Sequence, residues 1–154
     1  MQTTLKQIPG GVCAPQGFLA GGIHCGIRKN RTKYDLSLIY SQKRAAAAAV
    51  YTQNLVKGAP LTVTKQHLKD GYAQAVICNS GNANGVEIAE QTCALLSASL
   101  HVDAQDVIVA STGVIGEPLD ITPIKNGIPS LVNALGENGS ADAAQGIMTT
   151  DTVA

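Results

Sequence analysis

Apolar and polar residues alternate in the first third of the chain, which predicts a β hairpin. Residues 34–41 alternate cleanly, whereas residues 17–29 alternate weakly and contain several glycines, as a strand with close backbone neighbours would. The polar residues 29–32 are the predicted turn. Residues 44–54 are ambiguous, because their alanines favour helix and the Val-Tyr-Thr that follows favours strand. We expect a strand to begin in the second half of that segment.

The middle of the chain predicts short elements of both kinds. A strand over 60–64 is expected to lead into a helix over 64–71, with Thr64 as its N-cap and Gly71 as its C′ stop. Residues 73–84 predict a buried strand that ends in a loop rich in glycine and asparagine. This part of the chain therefore predicts strands and helices in alternation.

Helical spacing of apolar residues becomes clear further along the chain. Residues 85–100 carry isoleucine, threonine and leucines at intervals of three and four, which predicts an amphipathic helix. Residues 106–111, which are apolar between Asp106 and Ser111, predict a strand, which we expect to end in a loop at Thr112. Residues 140–154 predict one more helix, with Ser140 as its N-cap, followed by a threonine-rich end.

A helix is also predicted within residues 120–136. Thr122 is the expected N-cap, Pro123 suits the first helical position and Gly136 the end. Pro129 should kink or break this helix. A hairpin followed by strand–helix–strand–helix indicates an α/β fold with a mixed sheet. No repeat, linker or charge block divides the chain, so we expect a single domain over residues 1–154.

Composition narrows the classes of partner. The chain has 154 residues, a formal net charge of zero, one Phe and no Trp. Residues 28–33 are basic, and form either a solvated turn or a grip for phosphate. Nothing else suits nucleic acid, because the aromatic side chains that stack on bases are scarce. We therefore expect no nucleic-acid partner.

The cysteines suit a reducing compartment. Cys13, Cys25, Cys78 and Cys93 have no CxxC spacing and no histidine pair beside them, so we expect no disulfide framework and no metal site. The N-terminus lacks the features of a secretory signal, and the longest apolar run is too short to cross a bilayer. We expect a soluble cytoplasmic protein without a membrane partner.

Two predicted loops share one design. Residues 76–84 (VICNSGNAN) and 107–116 (VIVASTGVIG) each end an apolar strand in small hydroxyl residues and glycine. Each could be only a tight turn, but together they suggest a pocket at the ends of neighbouring strands. The Thr112 hydroxyl and the Gly113 N–H could both donate to one developing negative oxygen, as in an oxyanion hole. Neither loop matches a dinucleotide or P-loop motif.

A nucleophile and a base are missing from these patterns. There is no GxSxG motif, and His24 and Cys25 should face opposite sides of a strand, so they should not form a pair. His67 and His101 lie at polar helix ends and should be solvated. The terminal threonines are either a fraying helix end or a hydroxyl cluster that binds a polar ligand.

Six segments resemble the ornithine acetyltransferase (bifunctional glutamate N-acetyltransferase) family of arginine biosynthesis. They are APQGFLAGGIHCGIRK, DLSLIYS, AAAVYTQNLVKGAPLTVT, VICNSGNAN, VIVASTGVIGEPL and GIMTTDT. They are collinear and cover nearly the whole chain, and NSGNAN, STGVIG and MTTDT in that order are highly specific. The resemblance implies a mixed-sheet sandwich of the self-processing ornithine acetyltransferase type, not a Rossmann fold.

The resemblance also implies a mechanism. Such a precursor cleaves itself into an α and a β chain, and the new N-terminal threonine of the β chain takes acetyl from N-acetylornithine and passes it to glutamate. Thr112 and Gly113 would form the oxyanion hole, and Thr149 or Thr150 would bind substrate. No cofactor is implied, although acetyl-CoA would be a substrate of a bifunctional member. The processed chains would assemble into a heterotetramer or larger.

The chain departs from the family's pattern in two places. Gly85 leads almost at once into the predicted helix, so the loop after NSGNAN should be shorter. The segments that carry the catalytic lysine and the nucleophilic threonine do not occur up to Ala154, so we expect most of an α chain that is inactive alone. A related self-processing peptidase or amidase, and a non-catalytic binding fragment, are the alternatives.

Overall fold

The structure is a computed structural model that describes residues 5–151. Within this range one sheet is formed by β1 (Phe18–Ile23), β2 (Leu36–Ala46), β3 (Tyr72–Asn82) and β4 (Val107–Val114). The helices are α1 (Pro60–His67), α2 (Val86–Leu100), α3 (Thr122–Asn133) and α4 (Ser140–Ile147). None of the helices described is long and apolar enough to cross a membrane.

The sheet is mixed, as the sequence predicts. Its strands lie in the order β1-β2-β3-β4. The pairs β1–β2 and β2–β3 are antiparallel, so the predicted hairpin is confirmed, although its connection is longer than residues 29–32. The pair β3–β4 is parallel, and α2 makes the crossover that such a pair requires. This crossover confirms the helix predicted over 85–100.

One face of the sheet carries the main hydrophobic core. Leu36 and Leu38 of β2 and Ile77 of β3 are fully buried there, together with Leu96 of α2 and Ile128 of α3. Burying one such side chain contributes about 1.5–3 kcal/mol relative to leaving it exposed. The alternation of β2 and the helical spacing of α2 direct these side chains to the same layer.

The opposite face of the sheet is covered only in part, by α4. Glycines allow the helix to lie directly on the strands. A methyl group added to Gly22 would be 2.1 Å from the Asp142 carbonyl oxygen, and one added to Gly146 would be 2.8 Å from Cβ of Ser37. The rest of this face is open within the part of the chain that the structure describes, because a cavity of about 490 Å³ lies against it.

Helix α1 protects the exposed edge of β4. Its Thr64 hydroxyl donates to the Val109 carbonyl at 2.8 Å, and Nδ1 of His67 lies 2.8 Å from the Val107 carbonyl oxygen. An edge strand otherwise presents unpaired carbonyls that invite association with another chain. His67 is half-buried by this contact, so the expectation that it is solvated is wrong.

The prediction of a strand over 60–64 is also wrong, because α1 already begins at Pro60. Thr64 is therefore an interior helical residue and not an N-cap, and its bond to β4 outweighs the strand preference of Val and Thr. Gly71 ends the following short turn with φ 78°, as predicted. No strand forms in residues 47–59, where Val50 is 99% exposed and has no partner strand in the range described.

Two predicted helix caps are shifted by one residue. Ser140 is the first residue of α4, and Gly139 is the N-cap. Glycine is required at 139 because a methyl group there would be 1.8 Å from the Ala20 carbonyl oxygen. Thr122 likewise begins α3, after Ile121 as N-cap. Pro129 lies within α3 and does not end it.

Helix α3 also ends earlier than predicted. Its last residue is Asn133, and Gly136 lies beyond the helix. Gly136 instead exchanges two backbone hydrogen bonds with Ala20, of 3.0 and 3.1 Å, and so extends the edge of β1.

We predict that Thr64→Val destabilises the protein by about 1–3 kcal/mol. The substitution preserves shape but leaves the buried Val109 carbonyl without its donor. Urea titration measures the change in the free energy of unfolding. Thr62→Val, on the exposed side of the same helix, is the control and should change it by less than about 0.5 kcal/mol. Equal effects of the two substitutions would contradict the role given to Thr64.

Candidate active site

The strands β3 and β4 remain paired beyond the hydrophobic core. Ser111, Thr112 and Gly113 of β4 lie opposite Asn79, Ser80 and Gly81 of β3, and the pairing continues for one more residue. The prediction that a loop begins at Thr112 is therefore wrong. The hydroxyl residues and glycine at the end of each strand suit a turn. They stay in strand conformation because β3 and β4 pair with each other there, which the local sequence does not reveal.

The two glycines of this pairing touch each other. Gly81 has φ 106° and Gly113 has φ 134°, conformations that side chains rarely tolerate. A methyl group on Gly113 would lie 2.4 Å from the Gly81 carbonyl carbon. Because that neighbour is backbone, it has little room to move. Only glycine fits at position 113.

Buried asparagines hold the strand ends in place. The Ser111 hydroxyl donates to the Asn82 carbonyl at 3.1 Å and accepts from the Asn84 N–H at 3.0 Å. The Asn79 side chain donates to the same carbonyl at 2.7 Å and accepts from the Asn84 side chain at 3.2 Å. This network gives a glycine-rich segment the rigidity that a binding site needs. Helix α2 then begins at Val86, as the short loop predicts.

One cleft brings together the four site residues predicted from the sequence. Thr112 and Gly113 form one side and Thr149 and Thr150 the other, around a cavity of about 730 Å³. The two terminal threonines follow the end of α4, where the Thr149 N–H donates to the Asp151 carboxylate at 2.9 Å. They are therefore part of a turn beside the cleft.

The third side of the cleft is the turn between β1 and β2. Its Arg28 and Lys29 are the charged side chains lining the cleft within residues 5–151, and no carboxylate lines it there. Hydroxyls, backbone groups and two cations therefore surround the space. This set suits a small polar ligand that carries a carboxylate, and contains no base.

A buried carboxylate, Asp35, organises that turn. Asp35 is fully buried and accepts hydrogen bonds from the backbone N–H groups of Cys25 at 2.6 Å, Gly26 at 3.2 Å and Arg28 at 2.9 Å. Nδ1 of His24 lies 3.1 Å from the same carboxylate. Sequence reasoning missed Asp35 and gave Arg28 no role at this cleft, since only the folded turn joins them to it.

His24 and Cys25 are not the strand residues that the sequence predicts. Strand β1 ends at Ile23, and both residues lie in the turn around Asp35. Burial and the nearby Asp35 carboxylate raise the pKa of the Cys25 thiol to about 12. Cys25 is therefore protonated at neutral pH and is a poor nucleophile.

Two further cysteines, Cys78 and Cys93, offer no better nucleophile. Burial raises the pKa of Cys78 to about 11, and burial with nearby Glu90 raises that of Cys93 to about 12. Cys13, Cys25, Cys78 and Cys93 are all free thiols. Residues 5–151 contain no cluster of three His, Cys, Asp or Glu side chains that could hold a metal ion.

Comparison with known proteins agrees with these features. The ArgJ family model matches residues 19–154. The arginine biosynthesis bifunctional protein ArgJ of Gloeobacter violaceus is 48% identical, with 96% of this chain and 38% of the relative aligned. The ArgJ protein of Caldanaerobacter subterraneus is 42% identical over the same shares. The chain thus spans 38% of the length of these curated relatives.

Two solved structures have the same fold. The crystal structure of the arginine biosynthesis bifunctional protein ArgJ from Bacillus halodurans is 38% identical, with a TM-score of 0.86 over 94% of this chain and 78% of that one. The ornithine acetyltransferase of Mycobacterium tuberculosis, complexed with ornithine, is 37% identical, with a TM-score of 0.87 over 94% and 81%. The chain belongs to the ArgJ family.

Proposed function

We propose that this chain is part of an acetyltransferase that moves an acetyl group from N-acetylornithine to glutamate. The observation that carries the proposal is the cleft, where Thr112 and Gly113 face Thr149 and Thr150. A similar protein of known structure is named ornithine acetyltransferase and was crystallised with ornithine. The cationic turn at the cleft suits the carboxylates that both amino-acid substrates carry.

The cleft would act on the acetyl carbonyl. A threonine hydroxyl oxygen attacks the acetyl carbon while its proton passes to that threonine's own amine, and the carbonyl oxygen becomes negative. The Thr112 hydroxyl and the Gly113 N–H would donate to this oxygen, and one such donor is worth about 3–4 kcal/mol. The C–N bond to ornithine then breaks and ornithine leaves with the proton. The glutamate amine next attacks the acetyl carbon of the acetyl-threonine, the C–O bond to threonine breaks, and the proton lost by the glutamate amine returns to the threonine oxygen. Thr149 and Thr150 would orient the amino acids.

The nucleophile would come from another part of the protein. The described cysteines with raised pKa values are protonated at neutral pH, and no base lines the cleft in residues 5–151. The relatives extend well beyond the aligned part. We propose that a β chain from the same precursor supplies an N-terminal threonine, and that this chain, a single domain, is most of the α chain.

The open face of the sheet is the proposed contact for that β chain. Ile39, Val76 and Ala110 line its cavity together with Ile147 of α4 and Val12. Val76 is 36% exposed and Ile147 is 49% exposed, so this apolar surface lacks cover within the described range. Thr112 lines the same cavity, so a partner seated there would reach the cleft.

The remaining properties follow from the same proposal. We expect a cytoplasmic assembly of a heterotetramer or larger, with no cofactor, nucleic acid or membrane involved. Acetyl-CoA would be a substrate if the protein also acetylates glutamate directly.

We predict that Thr112→Ala in the complete protein slows acetyl transfer roughly a hundredfold or more, because one donor to the developing negative oxygen is lost. The measurement is formation of N-acetylglutamate from N-acetylornithine and glutamate. Thr112→Ser keeps the hydroxyl and is the matched control, which should retain most of the activity. Unchanged turnover in Thr112→Ala would contradict the oxyanion assignment. Release of acetate without N-acetylglutamate would favour a hydrolase of the amidase kind.

We predict that Val76→Asp prevents stable association with the β chain, because a carboxylate would be buried in an apolar contact. The recovery of the second chain on co-purification should fall on the order of tenfold or more. Val86→Asp is the control, since Val86 is similarly exposed, at 40%, but lies at the start of α2 and outside the cavity lining. Equal recovery with both variants would show that this face is not the contact.

A further inference from the structure

We propose that Arg28 is a positioning residue of the cleft, which holds the Thr149–Thr150 segment against the paired ends of β3 and β4. The proposal rests on the proposed function, because its consequence is measured on the substrates named there. Arg28 touches both sides of the cleft, and its own position is fixed by buried contacts.

The backbone of Arg28 is anchored to the sheet through Asp35. The Asp35 carboxylate accepts from the Arg28 N–H at 2.9 Å. The Asp35 backbone is bonded on both sides, since its N–H donates to the Ile23 carbonyl and its carbonyl accepts from the Ser80 N–H, both at 2.9 Å. The backbone of Arg28 is therefore held beside β3, although the residue belongs to a long turn.

The side chain of Arg28 then crosses directly over Gly81. A methyl group on Gly81 would lie 2.7 Å from Cγ of Arg28 and 3.4 Å from its Nε. The absence of a side chain at position 81 therefore opens the path that the arginine follows. The same glycine is the partner of Gly113, so the arginine packs on the strand pair that forms the opposite side of the cleft.

The guanidinium of Arg28 contacts the backbone of the segment that follows α4. One of its terminal nitrogens donates to the Met148 carbonyl. Met148 lies between the end of α4 at Ile147 and the two threonines of the cleft. The neighbouring anchor of this helix end is the Ser80 hydroxyl, which donates to the Gly146 carbonyl at 2.6 Å. The arginine therefore holds the chain at Met148, one residue before Thr149.

Arg28 is not fully satisfied by these contacts. Its Nε is buried and has no hydrogen-bond partner within residues 5–151. Buried donors are normally paired with a protein group or a water molecule. A cation that bonds through one nitrogen to the segment carrying Thr149, with a further donor unused, fits a group that shapes a ligand site.

The test compares Arg28→Met with the unchanged complete protein. Loss of the bond to Met148 should let the threonine segment move, which weakens substrate binding in the ground state and the transition state alike. KM for N-acetylornithine should therefore rise about tenfold or more while kcat stays within about threefold. Binding of ornithine, measured by calorimetry, should weaken by a similar factor. Arg28→Lys keeps one donor and should restore part of the affinity.

Arg31→Met is the matched control, because Arg31 is an exposed arginine of the same turn that does not line the cleft. It should leave KM and ornithine binding unchanged. If Arg28→Met does not fold, Arg28→Lys carries the test, and its KM should still exceed that of the unchanged protein.

Normal KM and ornithine affinity in the folded Arg28 variants, even with a lower melting temperature, would overturn the proposal. An unchanged protein that neither binds ornithine nor forms N-acetylglutamate would contradict the proposed function instead.

Discussion

The contact between Gly81 and Gly113 is the constraint on which the cleft depends. In a regular parallel pair the backbone hydrogen bonds set the spacing of the strands and the side chains point out of the sheet. Here two glycines with positive φ bring the paired backbones so close that a Cβ on Gly113 would clash with Gly81. The pairing places Thr112 at the rim of the sheet instead of in a mobile loop. It also leaves the space over Gly81 that the Arg28 side chain occupies. One steric requirement therefore sets two sides of the cleft.

Packing elsewhere in the fold holds the strands of this glycine contact in place. The core face holds β3 and β4 through buried Ile77, Val107 and Val109, and α1 pairs the outer carbonyls of β4. In the described residues the opposite face is covered mainly by α4, whose contacts with glycines leave no room for larger side chains. Within the described residues, the sheet therefore has one fully covered face and one partly exposed face. The cleft lies where the partly exposed face meets the ends of β3 and β4. A second chain bound to that face would therefore place its side chains beside the cleft.

Sequence patterns predicted the elements whose signal is local. The spacing in α2 and the alternation in β2 depend on neighbours within each segment, and both were confirmed. The errors at 60–64, Thr112 and Ser140 have another origin, because a distant carbonyl or strand decided each one. Thr112, Gly113, Thr149 and Thr150 could be placed at one site through loop chemistry and resemblance. Asp35 and Arg28 could not, since their partners lie across the sheet and no pattern along the chain joins them.

Stabilising a negative oxygen requires donors that do not reorganise, and glycine-rich backbone is poorly suited to that on its own. This chain compensates with buried polar groups around the strand ends. Asn79 and Asn84 are nearly fully buried and bond to each other, so moving either strand end would break hydrogen bonds between buried groups. That cost keeps the Thr112 end of β4 in one position before any substrate arrives. This chain therefore organises the donors of the cleft, and in the proposed function the attacking group comes from another part of the protein.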